Sequence, residues 1–160
     1  MPTVSNSSPI IHLTKIGMLD LLHDLFGQLL VPEMVYFECT NSIHHRNEIG
    51  LIKNAEWINE VSITNWKLFN VLHADVDAGE AEALTLAVEA NAGLILLDDQ
   101  EARSKAKMLG LQVTGTLGVL LKAKKAGLIG SATGYLQQLQ NTGFWLSPAL
   151  LAKLTELLDE

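Results

Sequence analysis

A few positions carry side-chain oxygens whose types and surroundings could do chemistry together. Asn6 lies in Asn6-Ser7-Ser8, Glu38 follows Val31-Pro32, Glu80 closes Asp77-Ala78-Gly79-Glu80, and Asp98 and Asp99 are adjacent. Thr114-Gly115-Thr116 is a further polar turn. Carboxylates gathered at one edge repel one another, and hard divalent cations such as Mg²⁺ or Mn²⁺ relieve that repulsion by oxygen ligation. A plainer role competes at three of these places. Asp77 with Glu80, and Asp98 with Glu101, each fit a capping box, and Ser8 with Pro9 behind it reads as a helix cap. Cap and ligand both stay open there.

Helical geometry separates two neighbouring acids. Glu80 shares a face with Leu84, Ala87 and Asn91, whereas Glu82 shares one with Leu86 and Glu89, about 200° away at roughly 100° per residue. Glu80 is therefore expected to look inward and to be the ligand of the two.

The elements that must position these residues follow from the apolar pattern. A short strand at Thr3–Ser5 precedes helices expected over 10–16 and 18–26, a strand over 28–31, and a helix opened by Pro32. The stretch 41–70 is the least legible, with a polar helical candidate over 42–53 and an extended one over 57–63. Asp77 then leads a helix to about Asn91, followed by the apolar strand 94–97, a helix to Leu109, a strand over 111–114 and a helix over 116–126. Helices over 131–141 and 148–158 complete the chain. Short apolar strands alternating with helices predict an α/β domain with a largely parallel sheet, whose ligands gather beyond the strands' carboxyl ends.

Composition bounds the class. With 160 residues, 48% of them apolar and 18% charged, the chain fits one domain with a real core, not a disordered or fibrous polymer. One cysteine, Cys39, cannot close an internal disulfide and is read as a core residue. With no signal-like start and no apolar run near ~20 residues, a cytoplasmic, membrane-free protein is expected. The net charge of −7 argues against bulk electrostatic binding of nucleic acid, yet the charges are segregated. Residues 1–101 hold 15 acids against four bases, while 102–155 hold seven bases and no acid. Arg103, Lys105, Lys107, Lys122, Lys124 and Lys125 form either a phosphate-contacting track or an ordinary solvated face. His44, His45 and His73 are read as surface residues.

Taken in order, Val4-Ser5-Asn6-Ser7-Ser8-Pro9-Ile10-Ile11, Val31-Pro32 with Glu38, Asp77-Ala78-Gly79-Glu80-Ala81-Glu82-Ala83, Leu96-Leu97-Asp98-Asp99 with Arg103, and Val113-Thr114-Gly115-Thr116-Leu117-Gly118 resemble a PIN domain. The nearest resemblance is to the DUF3368 branch, relatives of VapC-type toxins. It covers 3–151 as a single domain and leaves 152–160 as the end of the last helix and an acidic tail. The resemblance implies a three-layer α/β/α sandwich that hydrolyses RNA phosphodiesters with Mg²⁺ or Mn²⁺. It also implies an antitoxin partner and a homodimer. Carried over, the metal ligands are Asn6, Glu38, Glu80 and Asp98 or Asp99, with Asp99 preferred. Glu38, Glu80 and Asp99 become catalytic, Arg103, Lys107, Lys122 and Lys124 RNA-binding, and Ser8 and Thr116 supporting. Asn6 departs from the family pattern, since its amide offers an oxygen where a carboxylate is expected and adds no charge.

Overall fold

Every strand pairing among the described residues is parallel. The computed structural model describes residues 1–41 and 46–160. Among these, β1 (Thr3–Ser5), β2 (Leu29–Pro32), β3 (Ile58–Val61), β4 (Leu94–Leu96) and β5 (Val113–Thr114) form one sheet in the order β3-β2-β1-β4-β5. The helices are α1 (Ser7–Lys15), α2 (Asp20–Phe26), α3 (Glu33–Asn41), α4 (Arg46–Lys53), α5 (Trp66–His73), α6 (Ala78–Glu89), α7 (Gln100–Met108), α8 (Thr116–Lys125), α9 (Thr133–Asn141) and α10 (Pro148–Leu158).

The strand order fixes where a ligand can approach. From β1 the chain steps outward through β2 to β3, then returns to β4 on the other side of β1 and continues to β5. Right-handed crossovers put the helices of the two walks on opposite faces. Accordingly α1, α3 and α4 touch one another, as do α5, α6 and α7 by way of α6, giving the α/β/α layering. The direction reverses between β1 and β4, and the crevice beyond their carboxyl ends opens at that point. Val4, opposite Leu30 and Ile95, is fully buried, as are Leu29, Val31, Leu84 and Leu120.

Several sequence expectations shift when packed. Helix α1 begins at Ser7, not near Ile10, because β1 turns straight into it with Asn6 as the extended residue before the first turn. Helix α5 falls in the stretch that gave no clear reading, although Asn65 caps it by accepting from Leu68 N at 3.1 Å. The candidate helix over 42–53 is present as α4, and positions 42–45, with His44 and His45, lie outside the described residues. The acidic end of the chain is held against α9. Leu154 and Leu158 are buried, and Glu160 closes the N-terminus of α9 through Ala132 N, Thr133 N and Ser131 Oγ while pairing with Lys124 at 2.6 Å. Those donors, Lys124 first, hold the Glu160 carboxyl far below its ordinary range. Among the described residues, no helix is long and apolar enough to cross a membrane.

Candidate active site at the carboxyl edge of the sheet

Asn6 ends the central strand, its backbone N–H donating to Leu96 O at 3.0 Å across the reversal point. Its side chain is buried, and Oδ1 has no hydrogen-bond partner among the described residues. Glu80, in the first turn of α6, repeats the situation: the residue is buried and Oε2 has no donor among the described residues. Asp77 holds that turn by accepting from Glu80 N at 2.8 Å, the cap expected from the sequence. It also lies beside the Glu80 carboxyl, as does Asp99 from the start of α7. Burial, then Asp77, then Asp99 push Glu80 up to about 9. Oxygens that face oxygens need a proton or a cation between them.

Glu38 approaches the same helix end from α3. Ser7 Oγ donates to its Oε2 at 2.9 Å, and its Oε1 rests where a Cβ at residue 79 would stand, so a side chain at Gly79 would displace the Glu38 carboxyl. Burial raises the Glu38 carboxyl, the Ser7 bond opposes the rise, and Asp77 and Glu82 add to it.

The two adjacent aspartates have different jobs. Asp98 Oδ2 accepts from Ser8 Oγ and from Thr116 Oγ1, both at 2.7 Å, and Oδ1 accepts from Thr116 N at 2.7 Å. It clasps α1, the end of β4 and the start of α8. Asp99 is the cap of α7, accepting from Ala102 N at 3.0 Å; it is exposed and lies beside Glu80. The Asp98 capping expectation is therefore corrected by one residue. Ser8 serves Asp98 and not a helix cap, and Thr116 supports the same clasp. A Cβ at Gly115 would meet Asp98 Oδ1 at 2.7 Å, Arg103 Nη1 at 2.9 Å and Leu97 O at 3.0 Å, so this bare turn lets the clasp and the guanidinium close over it.

A family model described as a PIN domain, DUF3368, matches residues 2–160. The chain belongs to this PIN-domain family. A search of curated proteins returns no match. PIN domains generally use divalent metals, and the orphaned Asn6 and Glu80 oxygens, with the carboxylates of Asp99 and Glu38 near them, fit a hard cation in donor type. Among the described residues, no three Asp, Glu, His or Cys side chains already form a ligand cluster.

Other residues fall elsewhere in the PIN domain. Glu82, expected to face away, is as buried as Glu80 because α6 is enclosed on all sides over 79–87. It turns toward the first turn of α3, where the Met34 N–H partly offsets the upward push of burial. Of the expected basic track only Arg103 is near the edge. Helices α7 and α8 both start there, so the lysines of their last turns stand at the far ends, about 9 Å or more along the axis from the first residue of α8 in the case of Lys122. Lys124 is committed to Leu158 O and Glu160, Lys105 to Asp75 at 2.7 Å, and Lys122 lies over the Phe26 ring at 5.2 Å. Lys107 and Lys125 are exposed. Lysines in last turns complement the helix dipole, a sufficient reason for their spacing. His73 bonds Val76 O at 3.0 Å and stacks on Phe69, and burial, then Glu38, drives the Cys39 thiol up to about 12, leaving it inert.

Asp77 and His12 were not singled out from the sequence as site residues. Asp77 was visible only as a cap. His12 lies one turn beyond Ser8 on α1, its Nδ1 buried without a partner among the described residues and its ring edge-on to Phe144 at 5.0 Å. Burial lowers its pKa, Asp98 opposes that, and Lys15 adds to it. The spacing of Ser8 and His12 was the only available signal.

Two outcomes follow from this geometry. Asp98→Ala strips three hydrogen bonds and leaves the Thr116 N–H unmatched, so urea unfolding should show a loss of about 2 kcal/mol or more. An unchanged midpoint would mean the clasp is not structural. The second concerns pH. Glu80 is raised from 4.5 to about 9, so its contribution is fully present below the unfolded value and fades as pH rises through the folded one. Glu38 and Glu82 shift the same way, whereas burial moves His12 downward, away from this range. In EDTA, the melting temperature should fall between pH 7 and pH 9.5, and Glu80→Gln should flatten that fall. Identical slopes for the two proteins would contradict the placement of Glu80 among the acids.

Proposed function

We propose that the protein is a divalent-metal-dependent ribonuclease of PIN type, related to VapC-type toxins and acting in the cytoplasm as the toxin half of a toxin–antitoxin pair, as a homodimer. The observation that carries the nuclease reading is the pair of buried, donorless oxygens, Asn6 Oδ1 and Glu80 Oε2, at the sheet reversal of a PIN domain. Mg²⁺ or Mn²⁺ held there would lower the pKa of an attacking water and offset charge on the phosphodiester. Glu80, Asn6 and Asp99 would hold the ion. Glu38, oriented by Ser7, would accept the proton of the attacking water. Arg103, half-buried at the start of α7 and without an ion-pair partner among the described residues, would meet a phosphate oxygen, a contact that positions RNA without reading its sequence. Asp98 supports the frame and is left out of the ligand set.

Asn6 also favours a second reading, a PIN-fold RNA- or protein-binding module with weak or no turnover, because its amide contributes no charge toward holding a cation. Cleavage of a labelled RNA with Mn²⁺ and with EDTA separates the two. Cleavage with Mn²⁺, loss in EDTA and a drop of about a hundredfold or more in Glu80→Ala are expected of the nuclease. Asn6→Asp should tighten Mn²⁺ roughly tenfold by calorimetry and raise cleavage, since ligand charge sets affinity. If neither the native chain nor Asn6→Asp cleaves RNA with Mn²⁺ present, the binding-module reading stands in place of catalysis.

A further inference from the structure

On the neighbouring face of α3 lies a groove unconnected with any role assigned above. It has a volume of about 520 Å³ between α3, the β3 edge and α6, and is lined by Glu33, Met34, Tyr36, Phe37, Glu60 and Glu82 among others. Phe37 and Glu38 are consecutive, so about 100° of helix rotation separates the groove from the acidic edge.

The lining is both apolar and one-signed. Met34 and Phe37 are 37% and 61% exposed, a large cost for side chains that could have been polar. Glu33, Glu60 and Glu82 supply three carboxylates, and no lysine or arginine lines the groove among the described residues. Glu33 is fixed by a hydrogen bond from Ser62 Oγ. Glu82 is only 7% exposed. It forms the inner wall of the groove, where a cation entering from solvent would meet it. β3 is an outer strand of the sheet, which leaves the groove open along one side.

We propose that this groove docks a basic segment of a partner protein, whose apolar side chains cover Met34 and Phe37 while an arginine or lysine between them reaches Glu82, Glu60 and Glu33. Charge complementarity selects this occupant: an acidic wall repels an acidic or neutral-polar segment on desolvation and favours a cation, which also gains from the Tyr36 and Phe37 rings. The apolar floor selects a segment over a free amine or a metal ion. The arrangement is that of a small interface centre, an aromatic anchor beside a buried charge. The inference does not depend on nuclease activity.

The test uses the ¹⁵N-labelled chain and the hexapeptide acetyl-Ala-Leu-Arg-Ala-Leu-Lys-amide, with a control in which glutamine replaces arginine and lysine. Titration followed by NMR should move the amides of 34–41 and 58–61, and the control should bind at least tenfold more weakly. Phe37→Ser and Glu60→Lys, both at exposed positions, should each weaken the basic peptide at least fivefold without lowering the melting temperature. Equal binding of the glutamine control would overturn the proposal. So would shifts centred on 77–80 and 99–102, which would place the peptide on the acidic edge. Light scattering that shows a dimer broken by Phe37→Ser would overturn it too, by making a second copy the occupant.

Discussion

Repulsion between the buried Glu80 carboxyl and the more exposed Asp77 and Asp99 at the start of α6 is the constraint around which this domain is organised. Glu80 is buried where Asp77 and Asp99 face it, and among the described residues no donor reaches its Oε2. Left as a set of anions, such a group would cost more than one or two hydrogen bonds return. It survives because a proton, or a cation drawn from outside, can stand among the oxygens. A domain that needed only stability would have placed a leucine at position 80.

The surrounding architecture keeps that expensive arrangement from collapsing. The Asp98 clasp joins α1, β4 and α8 through Ser8 and Thr116, fixing both sides of the sheet reversal without using the acids at its mouth. Two missing side chains matter as much as those present. At Gly79 the absence of a Cβ admits the Glu38 carboxyl to the helix end, and at Gly115 it admits Asp98 and Arg103 to a tight turn. The burial of α6 on every side over 79–87 then turns the helix into a fixed post, so Glu80 and Glu82 serve opposite sides with little freedom to exchange.

What was legible in the sequence was mostly local. The Asp77 cap, the apolar strands and the helix over 148–158 are visible because their signals lie within a few residues of their effects. The choice between Asp98 and Asp99 could not be made that way, since what distinguishes them is Thr116, eighteen residues on, and Ser8, ninety residues back. The lysines misled for a geometric reason. They follow the acidic strand end closely in sequence, but each helix carries them back across the sheet. Glu82 faces away from Glu80 as helical spacing gives, but its burial was not legible, because a periodicity argument assumes that a helix has a wet face, and α6 has none over 79–87. The resemblance to PIN domains, which rests on ordered motifs and not on local propensity, identified the family that the match over residues 2–160 establishes.

The central claim is that the oxygens of Asn6 and Glu80 are arranged to receive a cation. Crystals grown or soaked in Mn²⁺, with anomalous scattering recorded at the manganese edge, test it at the level of atoms. The account predicts one ordered peak beyond the carboxyl ends of β1 and β4, within coordination distance of Glu80 Oε2 and Asn6 Oδ1, with Asp99 reaching it directly or through water. A structure at saturating Mn²⁺ with no peak at that place, and with the Glu80 carboxyl still turned toward Asp77 and Asp99, would contradict it.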